Sequence, residues 1–537
     1  MTDTLARPVG LPMDKPDSSA VRPAHRVWSR ELSVLTLLIM VLAPAGGLLH
    51  QARQGQLMED GFMVLLPQRV LHGAVAYRDF DWLWGPAGLW LPAVVHAVFG
   101  WTEAVSRMIG LAYAMVTTLA AYALVRRWSE GLGILAGVIM ALIDRASDLP
   151  EYAAIGLGIL ALYFAYRSLI GRGTRLRRYA LLSGLTAGTV LLFRPDRGMG
   201  VALALLIVFW ADRPRRNLAA MGFLVGVGLL VAYAAVAGFG ATFENLVVTA
   251  LRIPGDRYLP FPVSSYWDDL WMALVVVALG FDFYAGWRRR RISPASPRGP
   301  VMLGAASLAL TLVPEFLQRA DPGHLLVAGS LAVALLPAAL SDLALPAEEP
   351  RIPARTALRY GAAVLAVLSL GAYQEAIWPY LTDTGTTLTV VSPGTTTVLN
   401  RGHSFVYPTG DALLMAQLVE WVQGHTRPGQ TLFIGPGDLA RTAYNDNSVA
   451  VLLPTLRDAM NFPDMNPTVA VSHEPLLAQD VASADVVILD RQLDQWNETN
   501  GSGQFGSQAA NRVVSRQFCP AAQFGLYEVL LRCSAAG

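Results

Sequence analysis

Hydrophobic positions dominate the chain from residue 32 to about residue 378, in long stretches separated by short polar loops. A membrane-spanning helix needs about 20 predominantly apolar residues. Several stretches approach this length, so the pattern predicts an α-helical polytopic membrane protein. The predicted spans are 32–50, 103–125, 131–147, 152–170, 178–193, 198–212, 217–240, 268–286, 300–315, 324–344 and 357–378.

A further apolar stretch, 87–100, leaves the number of spans open. If it crosses the membrane, every later loop changes side, unless another short segment such as 131–147 does not cross completely. The alternative is a half-helix embedded in the membrane. The prediction is therefore about 11–13 transmembrane helices.

Arginines collect in alternate loops and give the predicted orientation. Loops rich in Lys and Arg stay in the cytoplasm, which places the polar tail 1–30 inside and every second loop outside. The predicted location is the inner (plasma) membrane of a bacterium, since the composition is rich in Ala, Arg and Gly. The basic loops are 126–127, 172–178, 213–216, 288–291 and 351–355.

The composition changes after the last predicted span. Residues 31–378 form the predicted membrane domain, and 379–537 read as an extracytoplasmic α/β domain with a helix at 411–423. Short β-type runs at 431–434, 486–489 and 526–531 lie between Gly, Pro and Asp residues. Cys519 and Cys533 are the only two cysteines. In an oxidising compartment they are expected to form a disulfide, the alternative being two free thiols.

Composition excludes several classes of protein. The chain is 53% hydrophobic and 15% charged, whereas soluble domains carry about 25% charged residues. Lys and Arg number 41 against 40 for Asp and Glu, so no basic excess suggests a nucleic-acid partner. His403, His425 and His473 lack the spacing of zinc ligands, and no Ser-His-Asp order with a nucleophile elbow is present.

The loop 51–86 concentrates the candidate chemistry. Carboxylates beside a bilayer are costly and tend to be functional, and this loop carries Glu59, Asp60, Asp79 and Asp81. A helical pattern starts at Glu59 and ends near Gly73. An acid at its start could accept a proton from an acceptor hydroxyl. The structural alternatives are a helix N-terminal charge for Glu59 or Asp60 and a pair with Arg78 for Asp79.

This loop resembles the first external loop of polytopic GT-C glycosyltransferases. The shared pattern is an acidic pair, a helix, then G-x-x-x-Y-R-D-F and a Gly-Pro before an apolar segment. It is most similar to the bacterial members allied to protein mannosyltransferases and aminoarabinose transferases. The family has Asp-Glu where this chain has Glu-Asp, which leaves open whether Glu59 or Asp60 is the base. The motif here comprises Glu59, Asp60, Gly61, Gly73, Tyr77, Arg78, Asp79, Phe80, Gly85 and Pro86.

The resemblance implies a sugar donor on a polyprenyl phosphate, inverting transfer to an extracytoplasmic glycan, lipid or protein, and an acidic base in this loop. Asp79 would position the acceptor or the base. No cofactor is implied, and metal dependence stays open, since most members need no metal and some do. A phosphate leaving group needs cationic partners. The candidates in external loops are Arg194, Arg197, Arg319 and His324, with local ion pairs to Asp196 and Asp321 as the alternative.

Three other functions compete with glycosyl transfer. A transporter or flippase of lipid-linked sugars would share the spans and the external basic sites, but it predicts repeated halves and broken helices at mid-membrane. No internal repeat is visible. A ligase or polymerase of preassembled glycans and a non-catalytic envelope-assembly protein also fit the same outline.

Overall fold

The computed structural model describes residues 30–52, 56–144, 146–256, 266–318, 322–344, 356, 359–364, 376–389, 394–494 and 500–533. Helices joined by loops make up the described chain as far as residue 389, and the first strand begins at Thr395. The helices of this first part are α1 (Arg30–Leu42), α2 (Ala45–His50), α3 (Gln56–Leu71), α4 (Ala87–Phe99), α5 (Glu103–Val125), α6 (Glu130–Ile143), α7 (Pro150–Ile170), α8 (Thr174–Phe193), α9 (Pro195–Val208), α10 (Arg213–Ala237), α11 (Phe239–Phe243), α12 (Ala250–Asp256), α13 (Tyr266–Ile292), α14 (Arg298–Leu310), α15 (Val313–Gln318), α16 (Pro322–Leu343) and α17 (Trp378–Thr389), with a π-helical turn at Glu244–Thr249.

The helical part is that of a polytopic membrane protein. Within the described residues, six helices are long and apolar enough to cross a membrane. They are Arg30–His50 (α1 with α2), Glu103–Val125, Pro150–Ile170, Arg213–Ala237, Asp269–Ile292 and Gly323–Leu343.

Other predicted spans form shorter or more charged helices. The stretches 87–100 and 131–147 become α4 and α6, of 13 and 14 residues. At 1.5 Å per residue each is about 20 Å long, less than the hydrocarbon thickness of about 30 Å. Three arginines lie at the start of α8, and the predicted span 357–378 falls largely outside the described residues.

The C-terminal part combines strands and helices. A five-stranded sheet has the order β4-β3-β5-β7-β6, in which β3 runs parallel to β4 and β5 while β7 runs antiparallel to β5 and β6. A separate hairpin pairs β1 with β2. The strands are β1 (Thr395–Asn400), β2 (His403–Pro408), β3 (Thr431–Pro436), β4 (Arg457–Asp458), β5 (Val486–Asp490), β6 (Phe518–Phe524) and β7 (Tyr527–Arg532). The helices are α18 (Thr409–His425), α19 (Ser448–Leu452), α20 (Val469–Ser472), α21 (Glu474–Ser483), α22 (Ser502–Phe505) and α23 (Ala509–Gln517).

The predicted helix at 411–423 and the predicted strands at 431–434 and 486–489 lie inside α18, β3 and β5, and the predicted strand at 526–531 overlaps β7 from residue 527 onward. β3 and β5 are buried along their whole length, which explains their continuous hydrophobic runs. The hairpin β1–β2 was not anticipated, because its first strand is rich in Thr and mostly exposed. A disulfide joins Cys519 in β6 to Cys533, which follows β7, and so ties the two strands at the edge of the sheet.

The helix α17 lies across the predicted boundary between 378 and 379. It packs on α2 so closely that a Cβ at Gly47 would lie 2.3 Å from the backbone oxygen of Asp383. Thr387 accepts a hydrogen bond from the Gly47 amide at 2.8 Å. The first residues after 378 therefore pack with the helical part, and the strands follow.

Candidate functional site

The helix α3 lies between two hydrophobic cores. Phe62, Met63 and Leu66 are buried with the membrane helices, and Val64 and Leu65 are buried in the core of the C-terminal part, which both strands and helices form. The two sets occupy different sides of the helix because side chains three and four positions apart share one side. The acidic loop is therefore held from both directions.

Gly61 sets the distance between α3 and the C-terminal part. A Cβ at this position would lie 2.6 Å from the backbone nitrogen of Ser448, at the start of α19. Arg69, near the end of α3, binds Asp458 at 3.1 Å and donates to the Met460 carbonyl at 2.7 Å. These contacts fix both ends of the helix that carries the acidic pair.

Asp60 is buried and bound to an arginine. Its carboxylate lies 3.3 Å from Nη2 of Arg107, on α5. Arg107 also forms an ion pair with Glu103 and donates hydrogen bonds to the carbonyls of Leu48 and, at 2.8 Å, Gln51. This cluster joins α2, α3 and α5, so Asp60 contributes to the packing of the site.

The same cluster reaches the C-terminal hairpin. Glu103 accepts a hydrogen bond from the backbone amide of Val406 in β2, at 2.7 Å. Glu103 and Arg107 are both buried. Burying a charged pair carries a small free-energy penalty only when each charge has its partner in place. Because these partners come from α3, α5 and β2, the three elements hold one another in position.

Glu59 has a different environment from Asp60. It is half-buried and lies three and four positions before Phe62 and Met63, on the side of α3 that faces the membrane helices. It also lies in the helix's first turn, where the dipole favours a negative charge. Of the acidic pair, Glu59 is the more accessible carboxylate.

Asp148 was missed by the sequence analysis. It lies between α6 and α7, and only 3% of its surface is exposed. Burial, together with the negative charges of Asp60 and Glu59, raises the pKa of Asp148 well above its usual value. Its Oδ2 atom is buried and has no hydrogen-bond partner. The structure thus brings a third acid, from a separate loop, to the acidic pair.

Asp79 is held inside a tight turn. Its side chain accepts hydrogen bonds from the Val75 amide at 2.8 Å and from Arg78 through both Nε and Nη2, each at 2.8 Å. The hydrogen bonds from Arg78 lower the pKa of Asp79, although burial opposes this. Tyr77 has a φ of 71° in the same turn. These contacts match the pairing alternative, in which Asp79 supports the loop.

The tryptophans that follow are part of the loop's own core. Trp82 is buried, and its indole donates to the Gly85 carbonyl at 3.1 Å. Its ring and that of Trp84 pack edge to face, 4.8 Å apart, and both rings contact Phe62. The loop therefore folds back on α3.

The Gly85-Pro86 turn joins the acidic loop to the predicted phosphate site. The Gly85 amide donates to the Phe193 carbonyl at 2.8 Å, and a Cβ at Gly85 would lie 2.1 Å from the Leu192 carbonyl oxygen. Arg194 is the next residue, at the end of α8. Only a glycine allows this approach.

Arg194 and Arg197 are surrounded by carboxylates. Arg194 pairs with Glu151 at 3.1 Å, with Asp196 at 2.9 Å and with Glu315 at 3.7 Å. Arg197 pairs with Asp196 at 3.4 Å and with Glu315, and it donates to a backbone carbonyl at 2.8 Å. Partial desolvation by the surrounding protein opposes ionisation of Asp196, whose side chain is still largely exposed, but the charge of Arg194 holds its pKa well below the usual range.

Arg319 and His324 are the two other predicted phosphate ligands. Arg319 lies outside the described residues. His324 is partly buried near the start of α16. Among the described residues, no group of three or more His, Cys, Asp or Glu could hold a metal ion.

A scan with protein-family models and a search of curated proteins found no match. Solved structures do match. The crystal structure of ArnT from Cupriavidus metallidurans bound to undecaprenyl phosphate aligns with a TM-score of 0.54 and 13% identity, over 94% of this chain and 98% of that chain. The apo form aligns with a TM-score of 0.52 and 14% identity, over 93% and 97%. ArnT is a GT-C aminoarabinose transferase.

The chain has the GT-C fold. The fold predicted from the acidic loop is thereby confirmed, and the alignment extends over nearly all of ArnT. At 13% identity the likeness concerns the fold alone, so the chemistry of this protein has to be argued from its own residues.

Proposed function

We propose that this protein is a membrane glycosyltransferase that moves a sugar from a polyprenyl-phosphate donor to an extracytoplasmic acceptor, with inversion at the anomeric carbon. The observation that carries the proposal is the meeting of Glu59, Asp60 and Asp148, from two separate loops, on a GT-C fold. The polyprenyl carrier is supported by ArnT, whose crystal structure contains undecaprenyl phosphate.

Glu59 is the proposed base. In the reaction, an acceptor hydroxyl oxygen attacks the anomeric carbon while the bond from that carbon to the phosphate oxygen breaks. Glu59 takes the hydroxyl proton, and the polyprenyl phosphate leaves with the bonding electrons. A carboxylate suffices for this proton transfer, and Glu59 is the more exposed member of the pair, in the first turn of α3.

Asp60 and Asp148 have positioning roles in this proposal. Asp60 keeps α3 in place through Arg107. Burial and the neighbouring carboxylates raise the pKa of Asp148, which favours its protonated form and a hydrogen bond from it to the acceptor or to Glu59. The protonated form also reduces the negative charge that three acids would place together.

The donor phosphate is proposed to bind at Arg194 and Arg197. As they stand, the two arginines face the three carboxylates of Glu151, Asp196 and Glu315, a local charge of about −1. The phosphate would displace Asp196, whose side chain is 54% exposed. The arginines then bind the leaving group through paired N–H donors, which suit phosphate geometry.

The test is transfer of radiolabelled sugar from synthetic polyprenyl-phosphate donors to crude envelope acceptors. Glu59→Gln should lower transfer by at least about 100-fold, as for loss of a general base, while donor binding and melting temperature stay unchanged. Asp60→Asn should lower the melting temperature, because a hydrogen bond to a buried charge is worth about 1.5–3 kcal/mol.

Two outcomes would contradict the proposal. If Asp60→Asn abolishes transfer without changing stability while Glu59→Gln remains active, the base is Asp60. If the wild type and both variants are equally inert with all donors but still bind lipid-linked glycan, a transporter or an assembly protein explains the molecule better.

A further inference from the structure

Two arginines at the other end of the helix bundle have no acidic partner among the residues that the structure describes. Arg127 lies two residues after α5, and Arg167 lies in the last turn of α7. The carboxylate site lies near the first residues of the same two helices, about 30 Å away at 1.5 Å per residue. This arginine pair is therefore separate from the proposed transfer site.

Both guanidinium groups bind the same phenol. Nη2 of Arg127 and Nη1 of Arg167 donate to the hydroxyl of Tyr163, at 3.3 Å and 2.9 Å. Cζ of Arg127 also lies 5.9 Å from the ring centre of Tyr166, and Cζ of Arg167 lies 4.8 Å from that of Tyr179. Within the described part of the chain, neither arginine has a carboxylate in ion-pair distance.

Two other arginines at this end are neutralised by acids. Arg289 binds Asp342 through two hydrogen bonds, at 2.7 Å and 2.8 Å, and Arg215 pairs with Asp212. The contrast singles out Arg127 and Arg167 as a pair of positive charges held together by aromatic rings.

The pair keeps an excess positive charge and a free donor. Each helix C-terminus supplies about −0.5 of an elementary charge, so the ends of α5 and α7 offset about one of the two positive charges. The Nε atom of Arg127 is buried and has no hydrogen-bond partner. A buried N–H group without an acceptor is unfavourable, so the cluster suits an added anion of charge −1.

We propose that Arg127 and Arg167, held side by side by the hydroxyl of Tyr163, form a binding site for a phosphate group of charge −1. The guanidinium fork matches phosphate oxygens in pairs, and Nε of Arg127 would supply one of the donors. The source is either the head group of an anionic phospholipid or free phosphate. The neighbouring loops are rich in Arg, which places this end at the cytoplasmic leaflet, where anionic lipids are found.

The test compares lipid retention by native mass spectrometry for the purified full chain. Phosphatidylglycerol and phosphatidylcholine are added to delipidated protein, and inorganic phosphate is added in a parallel thermal-unfolding series. The variant is Arg127→Gln/Arg167→Gln. Its control, Arg175→Gln/Arg178→Gln, removes the same charge from exposed positions at the same end. The wild type and the control should retain one phosphatidylglycerol, and the variant should bind it at least tenfold more weakly.

The lipid-retention and thermal-unfolding measurements together identify the source of the phosphate. Retention of phosphatidylglycerol without protection by inorganic phosphate assigns a lipid head group, and equal protection by inorganic phosphate assigns the free ion. Equal weakening in the variant and its control would show general attraction to basic residues and would overturn the proposal. The proposal would also be overturned if the wild type bound phosphatidylglycerol no better than phosphatidylcholine and inorganic phosphate did not raise its melting temperature.

Two further variants guard against a folding artefact. If the double variant does not fold, Arg167→Gln alone is measured in the same way. Tyr163→Phe keeps both arginines and removes only the shared phenol oxygen, so phosphate binding should persist. Loss of binding in Tyr163→Phe to the same degree as in the arginine variant would show that the two arginines do not bind phosphate without the phenol oxygen, and it would overturn the proposal.

Discussion

Single residues of the acidic loop differ in role although they share a charge. Asp79 has its oxygens occupied by Val75 and Arg78, and Asp60 is buried and bound to Arg107. Glu59 is only half-buried and lies in the first turn of α3. A sequence motif marks all three as candidates, and their burial separates the acids packed into the loop from the more accessible one.

Asp79→Ala should destabilise the loop by about 1 kcal/mol, the worth of a typical hydrogen bond. Asp79→Asn should retain more activity, because an amide oxygen can still accept from the Val75 amide. Transfer assays and limited proteolysis of the loop measure the two effects. An Asp79→Asn variant that is folded but as inactive as Glu59→Gln would instead show a chemical role for Asp79.

Asp81 makes the stability of the site depend on pH. Burial and the nearby Asp464 carboxylate raise its pKa to about 8. The folded state therefore binds more protons than the unfolded state between about pH 4 and pH 8, so the contribution of Asp81 to stability falls as pH rises through this range. We expect Asp81→Asn to weaken the decrease in melting temperature from pH 5 to pH 8. The exposed Asp411→Asn serves as the control, and an unchanged profile in Asp81→Asn would refute the expectation.

At the scale of elements, the Gly85 turn joins the acidic loop to α8. Gly85→Ala would place a methyl group 2.1 Å from the Leu192 carbonyl oxygen. Overpacking of this kind costs about 1–3 kcal/mol, and transfer should fall because the loop moves away from Arg194. Gly228→Ala in α10 meets no atom within 4 Å and should be neutral or slightly stabilising. Equal stability and activity in both variants would contradict this role for the turn.

The sequence predicts elements better than it predicts their partners. α3, α18, β3, β5 and β7 follow from local periodicity and from flanking Gly, Pro and Asp residues. The sharing of α3 between two cores does not, because Val64 and Leu65 find their partners more than 300 positions further along the chain.

The candidate site shows the same limit. The pair Glu59-Asp60 stands out in a recognisable motif, whereas Asp148 lies in a short loop with no motif. The one signal for Asp148 was the presence of Asp144, Asp148 and Glu151 in a loop predicted to be external. That signal indicates only the side of the membrane on which Asp148 lies. The distance from Asp148 to Asp60 depends on how α5 and α7 pack.

At the scale of the whole molecule, the disulfide stabilises the outer edge of the sheet. Cys519 and Cys533 are 14 positions apart, and closing a loop of this length contributes about 3 kcal/mol by chain entropy. Cys519→Ser/Cys533→Ser should lower the melting temperature of the C-terminal part, and reduction of the wild type with dithiothreitol should reproduce the shift. An unchanged melting temperature in both cases would show that the sheet does not depend on the bond.

The position of α3 between two cores has a consequence for how the protein is made. The core that buries Val64 and Leu65 is built from residues more than 300 positions further along the chain, which are synthesised later. The acidic pair therefore acquires its final position only after the C-terminal sheet and its helices have been synthesised and folded. A chain that stops before them would form its first helices but leave the acidic pair without its final packing.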